Sequence, residues 1–148
     1  ANLRREAHAR GVAPERLVFM PKLPHEQYLT RYAHVDLFLD TWPYGAHTTA
    51  SDALRMGIPI LTAPGRSFAS RVAASLLTAL DLPELVADDV ESYVAAAVRL
   101  AGDPSALEAL KARLGRAVRR RRKRSHGSSF RKRRQVSKVA PPQTSSDQ

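Results

Sequence analysis

Short apolar runs alternate along this chain with stretches whose apolar residues recur at helical spacing, and that alternation predicts strands and helices in turn. Asn2 to Arg10 predicts a short helix closed by Gly11. Leu17-Val18-Phe19-Met20 predicts a strand between Pro14 and Pro21. His25 to Ala33 follows Pro24 as a helix with Tyr28, Leu29 and Tyr32 on one face. Val35 to Leu39 predicts a central strand buried on both faces. Thr48 to Met56 predicts a helix stopped by Gly57, Ile58 to Thr62 a third strand, and Ser67 to Leu80 one long helix with Ser67 as its N-cap. Leu85-Val86 suggests a short fourth strand. Asp89 to Leu100 reads as a helix, and Asp103 caps another that begins at Pro104. Strands alternating with helices predict an α/β fold, with a parallel sheet and helices on both of its faces.

In such sheets ligands bind beyond the carboxyl ends of the strands. The loops Pro21–His25, Thr41–Thr49 and Thr62–Ser67 would share that edge. The segment Gly45-Ala46-His47-Thr48-Thr49-Ala50-Ser51-Asp52 is the most informative of the three. A strand precedes it and a helix opens within it. Amide groups of a first helical turn have no intrahelical acceptor, and the helix dipole favours negative charge there. Thr48 and Thr49 add hydroxyl donors, and Asp52 offers a carboxylate to a ribose diol. The chemistry suggested is grip on a nucleotide diphosphate. The plainer reading is that Thr and Ser serve as ordinary N-caps and Asp52 complements the dipole.

Residues Asp36-Leu37-Phe38-Leu39-Asp40-Thr41, Pro43-Tyr44 and His47-Thr48-Thr49-Ala50-Ser51-Asp52-Ala53-Leu54 resemble the protein O-linked N-acetylglucosamine transferase family, its bacterial members above all. So do Gly57-Ile58-Pro59-Ile60-Leu61-Thr62-Ala63-Pro64-Gly65, the run Ser67 to Leu77, and Arg16 to His25. The resemblance spans Asn2 to Leu114. It implies a Rossmann-like fold forming most of the second, donor-binding lobe of a two-lobed (GT-B) glycosyltransferase, truncated on its N-terminal side. The implied activity is transfer of N-acetylglucosamine from UDP-N-acetylglucosamine to Ser or Thr of proteins. On this chain the resemblance implies His47, Thr48 and Thr49 at the diphosphate and Asp52 at the ribose. It implies Leu23 (through its backbone), Pro24, His25, Tyr28 and Arg31 around the uridine. The mammalian members differ here, with Lys in place of His25 and His in place of Tyr28. Neither a catalytic base nor a metal ligand is assigned, and no cofactor is expected beyond the UDP-sugar substrate. A Gln and a Lys that the family uses at the donor, the acceptor lobe and the helical repeats all lie upstream of the matching residues. The chain is therefore expected to be a fragment, inactive alone, with apolar surface left open.

Charge changes the picture at one end. Residues 1–110 carry 10 Lys+Arg and 13 Asp+Glu, a net of −3, whereas residues 111–148 carry 14 Lys+Arg and 1 Asp, a net of +13. The chain of 148 residues is therefore read as a lobe over 1–115 and a basic tail over 116–148, disordered from 125 onward because self-repelling charge buries no apolar surface. Two other readings rest on this tail. Arg119 to Arg134 could bind nucleic acid non-specifically by phosphate neutralisation, or the tail could be the product of a shifted reading frame appended to an inactive fragment. There is no Cys, and no apolar run approaches the roughly 20 residues that span a bilayer. Ala1 to Arg10 is charged and helical in pattern rather than a leader. A cytoplasmic protein with no membrane partner is expected.

Overall fold

Local signals decide where most helices of this chain begin and end. The computed structural model describes residues 2–136, with side chains described through Arg124. It divides into two compact units, 1–31 and 32–148. Among the described residues no helix is long and apolar enough to cross a membrane.

The first unit holds helix α1 (Asn2–Ala9), a single 3-10 turn at Pro14–Arg16 and helix α2 (His25–Thr30). Gly11 turns the chain at φ 75°, so that the Val12 N–H reaches the Ala7 carbonyl at 2.9 Å. The Arg4 guanidinium lies over the Phe19 ring at 5.1 Å. The expected strand Leu17–Met20 does not form, and Val18, Phe19 and Met20 stand exposed. A strand exists only through its ladder, and no second strand lies among the described residues of this unit to pair with it. The helix expected over His25–Ala33 stops at Thr30 and tightens into a 3-10 turn at Arg31–His34.

The second unit is built on a parallel pair, β1 (Phe38–Leu39) and β2 (Ile60–Leu61), in the register Phe38↔Ile60 and Leu39↔Leu61. Helix α3 (Thr48–Arg55) connects them. Thr62 bridges Val86 in parallel on the other side, through Thr62 N–H to Leu85 O at 3.1 Å and Ala87 N–H to Thr62 O at 2.8 Å. The fold is α/β with parallel pairing, as expected, but the central strand is β2 rather than Val35–Leu39. Ile60 and Leu61 are fully buried because helices pack against β2, while Leu39 at the edge is 51% exposed. Burial of both faces therefore belongs to β2. The strands are shorter than expected, and Leu85-Val86 contributes a single bridge.

The helix expected over Ser67–Leu80 is broken. Ser67 Oγ accepts from Ser70 N–H at 3.3 Å and closes a 3-10 turn, Phe68–Ser70, before helix α4 (Val72–Ala79) begins. Hydroxyl side chains that bond nearby backbone compete with the helical ladder. Helix α5 (Val90–Ala101) is capped as expected: Asp89 Oδ1 accepts from Ser92 N–H at 2.7 Å, and Ser92 Oγ accepts from Asp89 N–H at 3.2 Å. Helix α6 (Pro104–Val136) starts beyond Asp103, whose Oδ1 accepts from Ala106 N–H at 3.0 Å. Its inner face is Leu107, Leu110, Leu114 and Ala117, all buried. Packing thus passes the expected boundary at 115/116, and residues 125–136, expected to be disordered, continue the helix. Arg and Lys are good helix formers, so charge alone does not end it. Residues 137–148, the rest of that expected tail, lie outside the described residues.

The two caps make a test of pH dependence. The Asp89 carboxyl is held below the ordinary 3.8 first by the Ser92 hydroxyl and then by the Ser92 N–H. That of Asp103 is lowered by the Ser105 hydroxyl and the Ala106 N–H. A lowered folded value means that the stabilisation is present above 3.8 and is lost as pH falls through the lower folded value. Asp89→Ala should melt below wild type at neutral pH, and the gap should close as the pH drops below that range. Circular-dichroism melts across roughly pH 2.5–7 are the check.

Candidate functional site

Parallel pairing sends the chain out of β1 and β2 at the same edge, so the loops 40–47 and 62–70 meet there. Asp40, the first residue after β1, is 6% exposed. Its Oδ1 accepts from the N–H of Thr41 at 3.0 Å and of Ala46 at 2.7 Å, and its Oδ2 accepts from Thr62 Oγ1 at 2.8 Å. The Asp40 carbonyl accepts from the Tyr93 hydroxyl at 2.9 Å. Burial first, and the Asp40 charge second, push the Tyr93 hydroxyl above its ordinary pKa. Gly45 sits so close that a Cβ would lie 3.1 Å from Asp40 Oδ2 and 3.2 Å from Ala69 O.

His47 follows as the residue before α3. Its Nε2 lies 3.0 Å from the Ala69 carbonyl. A carbonyl only accepts, so that nitrogen carries the hydrogen and Nδ1 is the nitrogen left over. The ring stacks on Tyr44 at 5.8 Å and meets the edge of Phe68 at 6.3 Å. Trp42, Tyr44 and Phe68 are large apolar side chains exposed around this corner. The His47 side chain does not cap α3. Thr48 and Thr49 open that helix on the exposed side, and the Tyr32 hydroxyl holds the Thr49 carbonyl at 3.2 Å. The arrangement presents uncapped first-turn amides and two hydroxyls beside a ring braced by a neighbouring loop. Chemically that suits a bound anion.

The expected site residues fall into both units. In the second, His47, Thr48 and Thr49 gather at one end of α3. Asp52, expected to be open to a ribose, is 8% exposed. In the first, His25 and Tyr28 lie ring to ring at 6.4 Å. The Arg31 guanidinium donates to the Pro21 carbonyl, Leu23 is half-buried, and Pro24 leads into α2. Sequence reasoning did not single out Asp40, Thr62 or Tyr93. Asp40 and Tyr93 stand 53 residues apart, and nothing local in either marks the bond.

The sequence model of the family described as Glycosyl transferase family 41 matches residues 1–136, which runs past Leu114, where the resemblance was expected to stop. A UDP-N-acetylglucosamine–peptide N-acetylglucosaminyltransferase of Caenorhabditis elegans is 41% identical over 113 residues, covering 76% of this chain and 10% of that protein. A protein of Solanum lycopersicum described as a probable UDP-N-acetylglucosamine–peptide N-acetylglucosaminyltransferase SPINDLY is 36% identical over 102 residues, covering 68% of this chain and 11% of its own length. Among solved structures, a mutant O-GlcNAc transferase of Thermobaculum terrenum superposes with a TM-score of 0.75 at 39% identity, over 80% of this chain and 23% of that one. This chain thus spans about a tenth of the length of the curated relatives it matches.

Proposed function

The chain belongs to glycosyl transferase family 41, and on that premise we propose that it forms the nucleotide-sugar-binding part of a UDP-N-acetylglucosamine-dependent protein O-glycosyltransferase. The observation that carries this reading is the open N-terminus of α3 at the carboxyl edge of the sheet, with Thr48 and Thr49 exposed and no side-chain cap. In the proposed reaction an acceptor Ser or Thr hydroxyl attacks the anomeric carbon of the sugar. The bond from that carbon to the β-phosphate oxygen breaks, UDP leaves with the electron pair, and the hydroxyl proton passes to water. Charge grows on the departing diphosphate, and preorganised donors aimed at it stabilise the transition state. The α3 amides and the two Thr hydroxyls supply those donors, so the proposal needs no metal ion.

His47 enters this scheme through Nδ1 alone, since Nε2 is engaged with the Ala69 carbonyl. Asp52, though only 8% exposed, is kept as the proposed ribose partner; in the first unit, taken by itself, Leu23, Pro24, His25, Tyr28 and Arg31 are proposed as contacts to a uridine. Acceptor contacts are assigned to parts of the whole protein that this chain does not cover. The chain alone binds the donor weakly, because water screens charge interactions in an open site, and does not transfer sugar. Its compartment is the cytoplasm.

The experiment is an NMR titration of the full 148-residue chain with UDP. Amides from His47 to Asp52 should shift at millimolar UDP. Thr48→Val combined with Thr49→Val should weaken binding by about 1.5–3 kcal/mol, the range for hydrogen bonds to a charged group. If no amide between His47 and Asp52 responds, this reading of the lobe is lost.

A further inference from the structure

A carboxylate behind a proposed anion site has the wrong sign for a ligand contact, so Asp40 invites a different account. It is 6% exposed and lies immediately behind the loop that delivers α3. Its two oxygens have separate duties. Oδ1 takes both loop amides, Thr41 at 3.0 Å and Ala46 at 2.7 Å, and so closes residues 40–46 into one ring of hydrogen bonds. Oδ2 takes the Thr62 hydroxyl at 2.8 Å and ties that ring to the end of β2. The Thr41 hydroxyl donates to the Tyr44 carbonyl at 2.6 Å and tightens the same loop from within. Gly45 leaves room for the carboxylate where any Cβ would crowd it. The chain leaves this ring at Ala46, passes His47 and enters α3 at Thr48.

We infer that Asp40 is the positioning residue of the nucleotide site: it holds residues 41–46 so that the first turn of α3 points its amides out of the protein. The inference rests on the reading of α3 as the diphosphate site. Asp40 touches no ligand in this scheme. It consumes, within the protein, two loop N–H groups that would otherwise compete for water or anion, and it fixes the angle at which α3 begins. Charged hydrogen bonds of this kind are short and geometrically specific. A buried carboxylate is costly unless its oxygens are hydrogen-bonded, and both of these are. That explains how a negative group can stand close behind a site meant for an anion: its oxygens face the loop and Thr62, and each accepts from them.

The geometry separates three variants of the full chain. Asp40→Ala removes both duties and should raise the UDP dissociation constant by about tenfold, the size of one charged hydrogen bond lost in a bound complex. Asp40→Asn retains an acceptor for the two amides and can turn its NH2 toward Thr62 Oγ1, which then accepts; it should stay within about threefold of wild type. Thr62→Val removes only the bond to Oδ2, so it should lower thermal stability while leaving UDP affinity within about twofold. A residue that merely stabilised the fold would instead lower the melting temperature in all three, with affinity unchanged at temperatures where each is folded. That pattern would overturn the inference. If Asp40→Ala does not fold, hydrogen exchange in wild type decides: the Ala46 amide must be protected, and an Ala46 amide exchanging as freely as an open loop refutes the positioning role. Should wild type bind no UDP, the nucleotide reading fails by itself, while Ala46 protection, and its loss in Asp40→Ala, still reports whether Asp40 organises the loop.

Discussion

Leu61→Ala should destabilise the protein by about 2–5 kcal/mol, enough to consume much of the stability of a domain of this size. Leu61 is fully buried in β2, against which α3 and α5 both pack. Its partner across the ladder, Leu39, is 51% exposed at the edge. Both are leucines in short apolar runs. Leu39→Ala nevertheless should change stability by no more than about 0.5 kcal/mol, because it opens no cavity. Urea unfolding of the two variants beside wild type measures the contrast. Equal losses would mean that Leu39 is covered in solution and that β1 is no edge. The effect of Leu61→Ala should reach the site too, because the Leu61 carbonyl accepts from Asp40 N–H at 3.0 Å and sets where Asp40 lies.

Gly45→Ala should strike the site more directly. The added Cβ would lie 3.1 Å from Asp40 Oδ2 and 3.2 Å from the Ala69 carbonyl. A neighbour at such distances must give way by a few tenths of an ångström. Neither is free to do so. Asp40 is pinned by three donors, and the Ala69 carbonyl is held by His47 Nε2 at 3.0 Å. Overpacking of this kind costs about 1–3 kcal/mol. Because both pinned groups brace the start of α3, UDP affinity should fall by about tenfold as well. Gly57→Ala is the control. It also disturbs a glycine, at φ 85°, but nothing lies within 4 Å of its Cβ and it sits at the far end of α3. That variant should lose stability through backbone strain, by about 1 kcal/mol, with UDP affinity unchanged. Calorimetric titration of both, at a temperature where each is folded, separates them. An unaltered UDP affinity in Gly45→Ala would show that the loop absorbs the methyl group and that its geometry does not govern the site.

The helices legible in the sequence are those whose ends are decided within a few residues. Asp89 with Ser92, Asp103 with Pro104, Gly11 and Gly57 each place a donor, acceptor or permissive backbone next to the atoms they satisfy, so spacing alone reveals them. The strand–loop–helix order around His47, Thr48 and Thr49 is local in the same sense. Local signals also mislead: Ser67 is a cap, as its position suggests, but it closes a 3-10 turn rather than a long helix, because Ser70 bonds back to it. Length and apolar content do not tell which strand is covered, since Leu39 and Leu61 are paired leucines in short apolar runs and differ in the packing the fold lays over them. Tertiary structure alone decided that Asp40 meets Thr62 and Tyr93, that the His47 ring is braced by the Ala69 carbonyl, and that Ala117 packs beyond the expected end of the lobe. These contacts join residues far apart in the chain. Their energy depends on distance and orientation in space, which no short window of residue types records.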